Sequence, residues 1–106
     1  VNAAHIDIQG NGAGKVVVSV SGEIDLAVHD LLTEKIDSAV KMTTEGPVVI
    51  DLSKTTFLDS SGIRVLIEGL EAARHRELSY HVTGVTGIVH RVMEVTGVLE
   101  VLTGES

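Results

Sequence analysis

The sequence predicts an α/β fold: a mixed sheet of four to five strands, in the order β-β-α-β-α-β-α-β, with the helices mainly on one face. Three observations carry this. Short segments alternate apolar and polar residues with a period of two, the pattern of a strand whose sheet has one wet face. Longer segments place apolar residues three and four positions apart, the stripe of an amphipathic helix. The two kinds of segment then take turns along the chain, and a strand–helix–strand series favours right-handed crossovers between parallel strands.

Ile6 and Ile8 alternate with Asp7 and Gln9 over residues 5–9, and Val16, Val18 and Val20 alternate with Ser19 and Ser21 over residues 16–21. Between them, Gly10-Asn11-Gly12-Ala13-Gly14 reads as a hairpin loop. This glycine run opens onto a strand, so no helix N-terminus stands there to hold a phosphate. From Leu26 to Met42, Val28, Leu31, Leu32, Ile36, Ala39 and Val40 form one stripe, with Asp30, Glu34, Lys35, Asp37 and Lys41 opposite. Thr43-Thr44-Glu45-Gly46-Pro47 breaks that helix. Residues 48–52 are the third and most apolar strand, ending at Ser53, and residues 54–58 are expected to form a short loop. A second helix is expected over 60–76, with Ile63, Leu66, Ile67, Leu70 and Ala73 inward. Leu78, Tyr80 and Val82 then alternate with Ser79, His81 and Thr83 as a fourth strand. A short helix over 86–96 carries Val89, Val92 and Met93 and stops at Gly97, and residues 98–102 are expected to close the sheet as a last strand.

Composition narrows the function classes. The chain of 106 residues suits one domain, 1–106, and its 43% apolar content suffices for a packed core. Phe57 and Tyr80 are its only aromatic residues, so the core is aliphatic and the stacking rings used for nucleic-acid binding are missing. Eight basic and fifteen acidic residues give a net charge of −7, which repels phosphate backbones and anionic lipid. The expected partners are therefore proteins, with no nucleic acid and no membrane. Cysteine is absent, which excludes disulfides and thiolate metal sites and fits a reducing compartment. No apolar run approaches the roughly 18 residues of a membrane span. Val1-Asn2-Ala3-Ala4-His5 lacks the parts of a signal peptide, so a cytoplasmic location is expected.

The chemistry concentrates where the third strand gives way to the second helix, at Asp59-Ser60-Ser61-Gly62. Asp and Ser are good N-cap residues, because their oxygens accept bonds from the unpaired N–H groups of the first turn. One reading is thus a plain helix cap. Two serines where one cap would do, and a glycine costing about 0.5–1 kcal/mol relative to alanine within a helix, support a second reading. A phosphate on Ser60 would sit beside free N–H donors and the positive end of the helix dipole. It would add about −1.5 to −2 charges next to Asp59 and the acidic segment Gly22-Glu23-Ile24-Asp25, repelling a docked partner. Parallel pairing of the second and third strands would bring Asp25 and Asp59 to one sheet edge, where α/β folds usually place their sites. Glu23 and Asp25 also read as a solvated turn capping the first helix, and both readings stay open.

Gly22-Glu23-Ile24-Asp25, Val49-Ile50-Asp51-Leu52-Ser53, Phe57-Leu58-Asp59-Ser60-Ser61-Gly62-Ile63 and Val95-Thr96-Gly97-Val98 together resemble the STAS domain of bacterial anti-sigma-factor antagonists. The resemblance runs from about residue 5 to 102, in the right order and spacing. It implies that the unphosphorylated protein binds an anti-sigma-factor serine kinase and releases a sigma factor. It further implies that phosphorylation of Ser60 switches the protein off and that a phosphatase resets it. Asp25 matches the aspartate that lies near the phosphosite and contacts the partner; Glu23, Asp59, Ser61, Gly62 and Ile63 complete the implied contact surface. Relatives often carry a further C-terminal helix, whereas this chain reaches Gly104-Glu105-Ser106, so that surface is expected to be absent. Arg64 and Glu68 stand where relatives commonly have small or apolar residues, and charges there would select among kinases.

A serine hydrolase would need a base and an orienting acid beside Ser60 or Ser61. Neither His29, His75, His81 nor His90 lies in a recognisable context, and the Gly-x-Ser-x-Gly pattern is missing. The five histidines show no metal spacing, so no enzyme activity, metal or cofactor is expected. Nucleotide binding, implied by the resemblance alone, would be weak at most, since there is no Walker-type loop. The alternative within the same family is a STAS interaction module of a stressosome, a transport complex or an anion transporter tail.

Overall fold

The N-terminal hairpin sets one edge of the sheet, and the parallel crossovers build outward from it. The computed structural model describes residues 4–10 and 14–103. Strand β1 (His5–Gly10) pairs antiparallel with β2 (Val16–Ile24), with Ile6 opposite Val20 and Ile8 opposite Val18. A 3₁₀ turn (Leu26–Val28) leads into helix α1 (His29–Met42). Strand β3 (Val48–Leu58) returns parallel to β2, helix α2 (Ser60–His75) crosses over, and β4 (Tyr80–Thr83) pairs parallel with β3. Helices α3 (Gly87–Thr96) and α4 (Leu99–Thr103) follow. The sheet order is β1-β2-β3-β4, a mixed sheet as the sequence predicts. Asn11, Gly12 and Ala13 of the hairpin loop, residues 1–3 and residues 104–106 lie outside the described residues.

Alternation places the core. Val48, Ile50 and Leu52 of β3 are buried, whereas Val49 and Asp51 are half-buried and Ser53 is exposed. Val16, Val18 and Val20 of β2 and Ile6 of β1 join the buried face. Leu32, Ile36, Ala39 and Val40 of α1 cover it, with Ile63, Leu66, Leu70 and Ala73 of α2 and Val89 and Met93 of α3. Leu31, expected in the α1 stripe, is instead 42% exposed.

Two expectations need correction. Residues 54–58 are not a loop: β3 runs on for eleven residues to Leu58. The pairing with β2 shifts between Ser19 and Ser21 and again between Gly22 and Glu23, after which Glu23 faces Phe57 and Ile24 faces Leu58. Such bulges insert residues out of phase and so break the period of two that reveals a strand. Gly22 takes φ +87° at the second shift, a left-handed conformation natural to glycine. Thr55, buried, donates its hydroxyl to the Val20 carbonyl at 2.8 Å and ties the irregular stretch to the sheet.

The second correction concerns residues 98–102, which belong to α4 and not to a fifth strand. Gly97 ends α3 in the left-handed region, and the Val98 N–H donates back to the Met93 carbonyl at 3.1 Å. Leu102 then donates to Val98, its side chain fully buried while Val101 is exposed. A five-residue apolar run carries too little period to separate the two structures. The first helix is also preceded by the 3₁₀ turn, so that Leu26 projects from the surface with 73% of its area exposed.

Tyr80 and Gly69 join the layers. The Tyr80 hydroxyl donates to the Leu66 carbonyl at 2.8 Å, and burial pushes its pKa far above the ordinary phenol range. A Cβ on Gly69 would lie 2.6 Å from Ile36 Cγ2 and 2.7 Å from that hydroxyl oxygen. Glycine at this point therefore lets α2 close on α1 and β4 together. Gly69→Ala should destabilise the fold by about 1–3 kcal/mol, overcoming the gain in helix propensity, as read by the urea midpoint. Tyr80 holds its proton more tightly when folded than when unfolded, so its contribution is intact below about pH 10 and declines as pH rises above it. Stability of the native chain should therefore fall more steeply above that pH than stability of Tyr80→Phe, measured by urea titrations across the alkaline range.

Candidate functional site

The end of β3 and the start of α2 form one continuous joint. Asp59 leaves the strand in an extended conformation, φ −92° and ψ −178°, and caps α2. Its Oδ1 accepts from the Gly62 N–H at 3.0 Å and from the Ser61 hydroxyl at 2.6 Å. The Ile63 N–H donates to the Asp59 carbonyl at 3.1 Å as the first helical bond. The Ser61 hydroxyl chiefly holds the Asp59 carboxyl below the usual aspartate range; burial opposes it, and the Gly62 and Ser61 N–H groups add smaller lowering contributions. The anion thus sits at the positive end of the α2 dipole.

This geometry separates the two serines. Ser61 is half-buried with its hydroxyl committed to Asp59. Ser60 occupies the first helical position, is exposed, and makes no side-chain hydrogen bond among the described residues. It stands at the positive end of the α2 dipole, where Asp59 already takes up the Ser61 and Gly62 N–H groups.

The neighbouring acids arrive through β2. Ile24 pairs with Leu58, and the Asp59 N–H reaches the Ile24 carbonyl at 3.4 Å. Asp25, next in the chain, is exposed and caps the 3₁₀ turn, accepting from the Ala27 N–H at 3.0 Å. Glu23, opposite Phe57, is exposed. Asp25 and Asp59 therefore come to one sheet edge, as parallel pairing predicts, and both are N-caps.

Gly62 and Ile63 lie below this surface, both buried. A Cβ on Gly62 would collide with Leu58 Cδ1 and meet Ile24 Cγ2 at 3.4 Å. The close approach that this glycine permits is therefore made by the ends of β2 and β3. Sequence reasoning missed the apolar part of the surface: Leu26 and Phe57, the latter 37% exposed, flank the acids in the chain. Phe57 carries a signal, since it stands beside Leu58 in a stretch that cannot bury both; Leu26 reads as a helix residue and gives none. Arg64 and Glu68 are exposed on α2.

No histidine hydrogen-bonds Ser60 or Ser61 among the described residues, and His29 instead meets Asp30 at 3.5 Å. Among those residues no group of three or more His, Asp or Glu could hold a metal ion, and no helix is long and apolar enough to cross a membrane. The chemistry present is that of a hydroxyl offered at a pre-formed helix start, within an acidic rim.

Fold and joint together define an α/β domain with an exposed serine at the start of a capped helix. The family model described as "Mlab, STAS domain" matches residues 7–103, and the chain belongs to the STAS domain family. It is 26% identical over 89 residues to an anti-sigma F factor antagonist of Paenibacillus polymyxa, covering 84% of this chain and 76% of the relative. An anti-sigma factor antagonist from Mycobacterium paratuberculosis superposes with a TM-score of 0.79 at 28% identity, covering 94% of this chain and 83% of the other. The unphosphorylated form of the anti-sigma factor antagonist SpoIIAA, of Bacillus, gives 0.78 at 18% identity over 93% and 85%, a likeness of fold.

Asp59→Ala should cost about 0.5–2 kcal/mol through loss of the cap, measured by denaturant titration. Ser61→Ala should instead move the Asp59 pKa upward toward its ordinary value, followed by carboxyl-detected NMR titration. An unmoved pKa would show that the Ser61 hydroxyl does not hold the charge.

Proposed function

We propose that this chain is an anti-sigma-factor antagonist switched by phosphorylation of Ser60. The observation that carries the reading is the division of labour between the serines: Ser61 is fastened to Asp59, and Ser60 is exposed with its hydroxyl unengaged. The names of its relatives support the class, and the acidic edge supplies the electrostatics.

In the unphosphorylated state the exposed surface of Glu23, Asp25, Leu26, Phe57, Asp59 and Ser60 docks on an anti-sigma-factor serine kinase, which then releases its sigma factor. Ser61 orients the cap within that surface, while Gly62 and Ile63 support it from below. With ATP bound to the kinase, the Ser60 hydroxyl attacks the γ-phosphorus. The new O–P bond forms as the bond to the β-phosphate oxygen breaks, ADP leaves, and the hydroxyl proton passes to a base on the kinase. The phosphate finds the positive end of the helix dipole at the α2 start, and the fold keeps its Asp59 cap. The partner, however, now meets about −1.5 to −2 further charges among carboxylates, and the complex separates. A phosphatase restores the hydroxyl by hydrolysis. The setting proposed is the bacterial cytoplasm, with the protein acting by binding rather than catalysis.

Incubation with the anti-sigma kinase and ATP, followed by tandem mass spectrometry, should place one phosphate on Ser60. Ser60→Ala should remain bound to the kinase through a gel-filtration run in which the native chain dissociates. Phosphate on Ser61 would overturn the assignment. Failure to engage any serine kinase would move the chain to the STAS modules of larger assemblies. Asp25→Asn should weaken kinase binding with little change in stability, since asparagine caps about as well as aspartate.

A further inference from the structure

Along the exposed side of α2, Ser60, Arg64, Glu68, Glu71 and His75 follow one another at i, i+4, i+8, i+11 and i+15. The residues around Arg64 turn inward: Ile63, Val65 and Leu66 are buried, and Ser61 and Ile67 are half-buried. Arg64 is thus the one exposed residue from 61 to 67, and it stands one helical turn beyond Ser60. Over residues 60–71 it is also the only lysine, arginine or histidine.

Arg64 is unengaged. Among the described residues it forms no ion pair and no side-chain hydrogen bond. Glu68 lies at i+4 from it, but a base placed before an acid is the weaker of the two orders on a helix, and the pair does not close. The neighbour on the other side, at i−4, is Ser60, exposed and with its own hydroxyl open. Residues four apart on a helix have Cβ atoms roughly 5–6 Å apart, so a phosphate on Ser60 comes within reach of the guanidinium. The order is then acid before base, the favoured one, and the acid carries about −1.5 to −2 charges instead of a carboxylate's single charge. A planar guanidinium can donate to two phosphate oxygens at once. The neighbours across the joint, Asp59, Asp25 and Glu23, are carboxylates and repel the phosphate toward the helix.

We propose that Arg64 is the internal counter-ion of phosphorylated Ser60, closing a phosphoserine–arginine pair along the first turn of α2. The proposal rests on the Ser60 reading above and adds to it the regulation of that site. Before phosphate transfer, Arg64 is free to meet an acidic group of the docked kinase. Afterwards it is held by the chain's own phosphate. Phosphorylation therefore changes the contact surface twice, by adding negative charge and by withdrawing the cation nearest to it along α2.

The test uses the full chain, labelled with nitrogen-15, with phosphoserine installed at position 60 during translation so that no kinase is needed. The Arg64 Nε–H signal should move downfield from its place in the unphosphorylated chain and exchange more slowly with water. Arg64→Gln should raise the second pKa of the phosphate, ordinarily about 6, by about 0.5, as followed by phosphorus NMR. The phosphate then loses its cation while Asp59, Asp25 and Glu23 remain. Arg64→Lys, which keeps the charge without the fork, should recover part of that shift. Both substitutions alter an exposed side chain and should leave the remaining amide spectrum in place. An Arg64 signal unmoved by the phosphate, or the same phosphate pKa in the native chain and in Arg64→Gln, would overturn the capture. Kinase-transferred phosphate mapped to a residue other than Ser60 would instead overturn the switch on which the capture rests, so the two failures are told apart.

Discussion

The parallel pairing of β2 with β3, carried through two register shifts to Ile24 and Leu58, is the constraint on which the rest of the molecule rests. It determines where both strands end, and hence where α2 starts. The Asp59 N–H bond to the Ile24 carbonyl fastens the joint, and Gly62 lets the first turn of α2 settle on Leu58 and Ile24. Were the strands to part at Ser53, Asp25 and Asp59 would be separated by a loop and the acidic edge would not form. A larger residue at 62 would lift the cap away from the strand ends. The proposed switch is therefore the exposed end of a packed joint.

Electrostatics then divides the work among adjacent residues. Asp59 is anionic, held so chiefly by the Ser61 hydroxyl, and that bond withdraws Ser61 from other chemistry. Ser60, one residue earlier, lies on the exposed side of the first turn and keeps its hydroxyl open. A single helix cap thus stabilises the fold and engages one of the two serine hydroxyls while leaving the other open. Further along, the same helix turns Val65 and Gly69 toward the core, and Gly69 comes close to Ile36 and Tyr80.

Much of this was legible in the residues because period and pairing coincide in the regular parts. Ile6, Val18, Ile50 and Val82 alternate as strand residues should, and each is buried. Asp59 reads as a cap from its type alone. Legibility failed where period fails: at the bulges, Lys54 to Leu58 lose alternation and resemble a loop, and at residues 98–102 a short apolar run suits a helix as well as a strand. The role of Gly62 was only half legible. Its cost within a helix signals that something comes close, but only the fold shows that Leu58 and Ile24 do so. Leu26 could not be read at all, since its exposure depends on a 3₁₀ turn set by the Asp25 cap.

The central claim is that Ser60 can carry a phosphate on a joint that stays folded. Backbone amide spectra of the chain before and after phosphorylation test this most directly. The account predicts shifts confined to residues 23–26 and 57–64, with the amides of Ile50, Val82 and Met93 unmoved. Shifts spreading through β4 and α3, or exchange broadening across the β2–β3 pair, would show that the phosphate refolds the domain and would contradict it.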